Sequence, residues 1–228
     1  MQLPPVVLVH GFGTSSRRTW GSLGWIDLLT EAGREVHTPD VLGHGAAPKP
    51  HEPAAYADLE GWLADRLPEG PLDAIGFSLG ARLLLGVASQ QQARFRRLVI
   101  AGVGRNIING DPDYRRRVAE AVAAVRRPED PGMAYFSALA DRPEMDREAL
   151  VALLQGFDPD IEVSRLARIT CPVLVVLGDR DRSGPADELV AALGNAESRT
   201  LRGVDHFATP KSYDFLDAAL SWVGEPLP

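Results

Sequence analysis

The chain has 228 residues, 45% hydrophobic and 24% charged, a balance that supports a packed core and excludes a fibrous or disordered chain. Lys and Arg number 24 against 31 Asp and Glu, and the net charge of −7 argues against electrostatic binding to nucleic acid or an anionic membrane. The single cysteine, Cys171, forms no internal disulfide, and no run reaches the ~20 apolar residues of a membrane span, so a cytoplasmic protein acting on a small molecule is expected.

In chain order, Pro4 and Pro5 lead into Val6-Val7-Leu8-Val9, too short and without the basic flank of a secretory leader, and then into His10-Gly11-Phe12-Gly13. A weak strand at 35–39 is followed by Leu42-Gly43-His44-Gly45. Ala74-Ile75-Gly76-Phe77 runs into Ser78-Leu79-Gly80 and a helix over 79–89; Leu98-Val99-Ile100-Ala101 runs into Gly102. The pattern then changes. Asp111-Pro112-Asp113 has the form of a helix start, with an Asp cap and a Pro whose missing amide costs nothing there. Helices are predicted over 114–125, 132–140 and 144–154, broken at Arg127-Pro128 and Arg142-Pro143, with no strand signal, so about 105–168 reads as a helical insertion. Val173-Leu174-Val175-Val176-Leu177 then reaches Gly178, followed by a helix over 185–193, a weak strand over 199–204 and a helix over 213–222. Short runs that are apolar on both faces are parallel strands buried between helix layers. The expected fold class is therefore α/β: a doubly wound, mostly parallel sheet of about six strands, in one domain spanning 1–228 with a small helical cap.

Gly76-Phe77-Ser78-Leu79-Gly80 sits between an apolar strand and an Ala/Leu-rich helix, the setting in which G-x-S-x-G presents a serine on a strained turn. A bare Gly-Ser turn is the plainer reading; the strand-turn-helix context favours a nucleophile, which needs a base to take its proton. In the order serine, acid, histidine, only His206 follows Ser78, in Gly203-Val204-Asp205-His206-Phe207. The acid that would orient it lies after the next-to-last strand, in Gly178-Asp179-Arg180-Asp181, where either aspartate is available.

These pieces in this order resemble the α/β-hydrolase family over nearly the whole chain outside the helical insertion. The resemblance selects Asp181 as the acid, three residues after Gly178, and leaves Asp179 to shape the turn or pair with Arg180 or Arg182. It also makes His10-Gly11-Phe12-Gly13 an oxyanion loop in which the N–H groups of Phe12 and Leu79 would stabilise a tetrahedral intermediate. His10 and His44 become structural loop histidines. Because the first strand starts at about Val6, the sheet would lack the two antiparallel strands that usually open it in this family. The implied activity is that of a carboxylesterase-like serine hydrolase cleaving an ester or related acyl bond through an acyl-enzyme.

Other chemistries lack their motifs. There is no G-x-G-x-x-G, no P-loop and no zinc-binding histidine or cysteine spacing, so no cofactor and no metal are expected. A serine at 78 argues against branches of the family that use an aspartate nucleophile. Arg82, one helical turn after Ser78, faces either the pocket or a neighbouring helix, and Gly80-Ala81-Arg82 resembles the Gly-Gly-Arg of a menaquinone-pathway lyase branch, in which that arginine contacts a substrate carboxylate. A triad-dependent C–C lyase and a non-catalytic binding protein of this fold are the alternatives. Trp20, shortly after the oxyanion loop, is expected at the pocket's border, whereas Trp25 and Trp62 are expected in packing; Met133, Tyr135 and Phe136 are candidate cap lining.

Overall fold

The computed structural model describes residues 3–21 and 23–224. In order they form β1 (Val6–Val9), α1 (Ser16–Trp20), α2 (Trp25–Glu31), β2 (Val36–His37), α3 (Leu59–Ala64), β3 (Leu72–Phe77), α4 (Leu79–Gln90) and β4 (Phe95–Ala101). Then follow α5 (Pro112–Ala123), α6 (Pro131–Ala140), α7 (Arg147–Gly156), α8 (Val163–Leu166), β5 (Val173–Gly178), α9 (Asp187–Leu193), β6 (Ala196–Leu201) and α10 (Tyr213–Gly224). The six strands form one parallel sheet in the order β2-β1-β3-β4-β5-β6.

Alternation along each central strand feeds two separate cores. Val7, Val9, Ala74, Leu98, Ile100, Val173 and Val175 face α3, α4, α8 and α9. Their neighbours Val6, Leu8, Ile75, Val99, Ala101, Leu174 and Val176 face α1, α2 and α10. With both faces covered, the strands read as continuous apolar runs. A third, smaller core holds α5, α6 and α7 together around Val118, Val122, Met133 and Leu150. At the start of β3 the buried Asp73 is paired with Arg34 and Arg96, an ion cluster that ties this strand to the end of α10 through the Val223 carbonyl.

The helical insertion between β4 and β5 has the predicted form, and Asp111 caps α5 by accepting from the N–H groups of Asp113 and Tyr114 at 3.0 Å. Several boundaries differ, three of them for an evident reason. The helix predicted over 144–154 begins only at Arg147, because Asp146 is the cap, accepting from the Ala149 N–H. The strand predicted over 35–39 is two residues long, β2. The strand predicted over 199–204 is β6, which ends at Leu201; Gly203, at φ +72°, already turns away from the sheet. As an edge strand β6 exposes Glu197, Ser198, Arg199 and Thr200, so its sequence carries no apolar signal. No helix among the described residues is long and apolar enough to cross a membrane.

Candidate active site

Strand order reverses between β1 and β3, since β1 connects outward to β2 while β3 leads toward β4, and ligands of open α/β sheets bind in the crevice at such a reversal. The carboxyl ends of both strands carry the motifs singled out in the sequence. Ser78 follows β3 directly, at φ 52° and ψ −110°, a conformation that costs a non-glycine residue about 1–3 kcal/mol. The surrounding structure enforces it. The Ser78 N–H donates to the Ala101 carbonyl at 2.8 Å, and α4 begins at the next residue, with the Arg82 N–H donating back to the Ser78 carbonyl. Gly80 is required by close approach, because a Cβ there would lie 2.2 Å from the Val9 carbonyl oxygen.

His206 projects from the loop after β6 and Asp181 from the loop after β5. The loops are laced together: the Asp179 N–H donates to the Leu201 carbonyl, the Arg180 N–H to the Val204 carbonyl, and the Gly203 N–H to the Asp179 carboxylate at 2.8 Å. Asp205 caps the following turn by accepting from the Phe207 and Ala208 N–H groups, which fixes the backbone on either side of His206. Nδ1 of His206 lies 2.9 Å from Asp181 Oδ2, and Nε2 lies 3.1 Å from Ser78 Oγ. An ionised carboxylate only accepts, so Nδ1 carries the proton and Nε2 is left to accept from the serine hydroxyl. Burial pushes the Asp181 carboxyl up, but hydrogen bonds from His206 and the Ser183 N–H, together with the His206 charge, outweigh it and hold the group below its ordinary value. The Asp181 side chain is 1% exposed and that of His206 23%: the acid is sealed while the imidazole stays open to a substrate.

The His10–Gly13 loop lies against this serine turn, and a Cβ on Gly11 would be 3.4 Å from the Ser78 Cβ. Leu79 opens α4, where the first N–H groups have no intrahelical acceptor, and among the described residues neither its N–H nor that of Phe12 meets a backbone carbonyl. Two buried histidines hold the loop. His10 accepts from the Val41 N–H at Nε2, 3.0 Å, and its Nδ1 lies 2.8 Å from the Gly11 carbonyl. His44 accepts from the Gly13 N–H at Nε2, 2.9 Å, while Nδ1 lies 3.1 Å from the Leu42 carbonyl. Each ring is thus used once as acceptor and once as donor, the pattern of a neutral imidazole. Burial, reinforced by the neighbouring His10, takes His44 down to about 3, and burial lowers His10 as well.

A family model described as the alpha/beta hydrolase family matches residues 6–217. The chain belongs to that family. It is 35% identical over 106 residues to a 2-hydroxy-6-oxo-2,4-heptadienoate hydrolase of Pseudomonas putida, a match covering 43% of this chain and 37% of the relative. It is 28% identical over 162 residues to a pyrrolizixenacetamide deacetylase of Xenorhabdus hominickii, covering 69% of this chain and 52% of that protein. The chain thus spans about half or less of the length of these curated relatives. In fold it is similar to the enol-lactonase from Burkholderia xenovorans LB400, with a TM-score of 0.79 at 20% identity over 99% of this chain and 93% of that one.

Within this fold, two candidate pocket residues lie elsewhere. Trp20 is fully buried on the α1, α2 and α10 side of the sheet, its ring 5.1 Å from that of Trp25, because the turn into α1 carries the chain away from the crevice. Arg82 is turned toward the helical insertion, donating from its two terminal nitrogens to the carbonyls of Pro159 (2.8 Å) and Asn106 (3.1 Å), and burial lowers it to about 10. It straps α4 to the segments on either side of α5–α7. Met133 is part of the small core of α5–α7, with Phe136 packed on it. Tyr135 instead stacks on Phe207, centroids 3.8 Å apart, and the Phe207 ring lies 5.6 Å from His206. Phe207 was not singled out from the sequence, where its only signal is its place next to His206. Arg142, which donates to the Gly13 carbonyl at 2.9 Å, carried no signal beyond the helix break it shares with Pro143.

Proposed function

We propose that this chain is a single-domain cytoplasmic serine hydrolase that cleaves an ester or related acyl bond of a small molecule, with Ser78, His206 and Asp181 as its catalytic triad. The observation that carries the reading is the unbroken hydrogen-bonded series from Ser78 Oγ through His206 to Asp181. His206 Nε2 takes the hydroxyl proton as Oγ bonds to the acyl carbon, and the N–H groups of Phe12 and Leu79 receive the oxyanion. The imidazolium gives that proton to the leaving group as the acyl–leaving-group bond breaks. Water then attacks the acyl-enzyme, losing a proton to His206, and the carboxylic acid departs as Ser78 regains its hydrogen. Asp181 keeps the imidazole in one tautomer and stabilises its charged form throughout.

The lyase alternative drew on Arg82 meeting a substrate carboxylate, and the two carbonyls that this side chain holds turn it toward the helical insertion instead, which favours the hydrolase reading. A pure binding role does not need a strained serine, a sealed acid and an oriented imidazole together. Hydrolysis of short-chain p-nitrophenyl esters, with a burst at high enzyme concentration, tests the proposal. Activity absent from well-folded wild-type protein, or retained in Ser78→Ala, overturns it.

A further inference from the structure

The helices between β4 and β5 do more than roof the crevice, because their α6–α7 corner is fastened to the loop beside Ser78 at two places and to α1 at a third. The Leu139 side chain packs so closely on Gly13 that a Cβ at that residue, itself at φ +65°, would lie 2.7 Å from the Leu139 Cβ. Arg142, just beyond α6, donates from a terminal guanidinium nitrogen to the Gly13 carbonyl at 2.9 Å. Glu144 pairs with Arg18 on α1. The Phe12 ring, in turn, packs against both the main core under α4 and the small core of α5–α7.

The two peptide planes that meet at Gly13 are therefore gripped from opposite sides: the N–H by His44, which belongs to the sheet side, and the carbonyl by Arg142, which belongs to the cap. Glycine has the widest choice of backbone conformations, so a loop turning on Gly13 keeps one orientation only if its neighbours impose it. We propose that Arg142 is a positioning residue for oxyanion stabilisation. Holding the Gly13 carbonyl fixes the backbone that carries the Phe12 N–H, so that the oxyanion site is complete only when the cap is seated. The inference rests on the serine hydrolase reading, because it assigns Arg142 a part in the same oxyanion site.

The consequence lies in the transition state. An N–H aimed at a developing oxyanion stabilises the tetrahedral species far more than the ground-state carbonyl, and its loss costs about 10²–10³ in kcat. Arg142 leaves the donor in place and loosens its aim, so Arg142→Gln is expected to lower kcat about 10- to 100-fold with KM changed less than about 3-fold. The second-order rate of covalent labelling by a fluorophosphonate, whose phosphoryl oxygen occupies the same site, falls by the same factor. Arg142→Lys, which keeps a cationic donor, recovers part of both. Arg18→Gln releases the same corner from α1 without touching Gly13 and leaves kcat and labelling within about 2-fold of wild type, since exposed ion pairs contribute little.

Wild-type labelling and kcat in Arg142→Gln overturn the inference while leaving the hydrolase reading intact. So does a rise in KM alone, or an equal loss of kcat in Arg18→Gln, which would make the seating of the corner the cause. If thermal melting shows Arg142→Gln to be unfolded, Arg142→Lys carries the test, with an intermediate kcat at unchanged KM supporting the inference and wild-type kcat overturning it. Wild-type protein that does not label at Ser78 removes the hydrolase reading, and this inference with it.

Discussion

The sheet-side wall of the site and the cap-side wall reach the same crevice by different means. On the sheet side, Ser78, Asp181 and His206 sit within a few residues of strand ends, and the loops carrying the last two are tied by backbone hydrogen bonds between neighbouring parallel strands. On the cap side, Tyr135, Leu139 and Arg142 meet Phe207 and Gly13 through side chains alone, Arg142 across 129 residues of sequence. On the proposed reading, a parallel sheet supplies a rigid place for bond-making groups, while the insertion supplies shape. Changes on the first wall should act on kcat and changes on the second mainly on KM, with Arg142 as the place where the division breaks down.

The largest effects test the first half of that contrast. Ser78→Ala and His206→Ala should each lower ester turnover by about 10⁴-fold or more while circular dichroism shows a folded protein. Next in size is the difference between the two aspartates. Asp181→Asn turns an accepting oxygen into a donor and forces the imidazole toward the wrong tautomer, with an expected loss of up to about 10⁴-fold in kcat. Asp179→Asn keeps an oxygen that can accept from Gly203 and should cost about 10-fold or less. The reverse ranking would move the acid from Asp181 to Asp179.

Acid stability probes the buried histidines beneath the sheet-side wall. His44 is held at about 3 in the folded chain against an ordinary 6.5, and His10 is lowered in the same sense. Below about pH 6.5 the unfolded chain then binds more protons than the folded one, so stability falls as pH falls, with a slope approaching 1.4 kcal/mol per pH unit for each such histidine. Denaturant midpoints measured from about pH 7 down to about pH 4 should show this decline, and His44→Gln should flatten it. A wild-type midpoint that holds steady through this range would mean that these rings are not kept neutral. The smallest expected effect tests the second wall. Tyr135→Ala removes the ring stacked on Phe207 and should change KM several-fold, with kcat within about 2-fold.

The same contrast explains what the sequence made legible. The strand-turn-helix around Ser78 is written locally, in an apolar run, two glycines and an Ala/Leu-rich helix, and the parallel sheet follows from strands that are apolar on both faces. The edge strand β6 was misplaced because its exposed Glu197, Ser198, Arg199 and Thr200 carry no pattern that burial would impose. Nearness in sequence puts Trp20 at the crevice and leaves Arg82 between the crevice and a neighbouring helix, but the direction of α1 and the carbonyls of Asn106 and Pro159 decide where those side chains go. Arg142 and Phe207 had no local signature at all, since what distinguishes them is a partner supplied by a distant segment.

The central claim is that Ser78 is a nucleophile activated by His206. Its most direct test is to treat the folded protein with a fluorophosphonate, measure the intact mass and map the modified peptide. A single adduct on Ser78, absent from His206→Ala over the same time, is the predicted result. Folded wild-type protein that stays unmodified, or carries its adduct on another residue, would contradict the account.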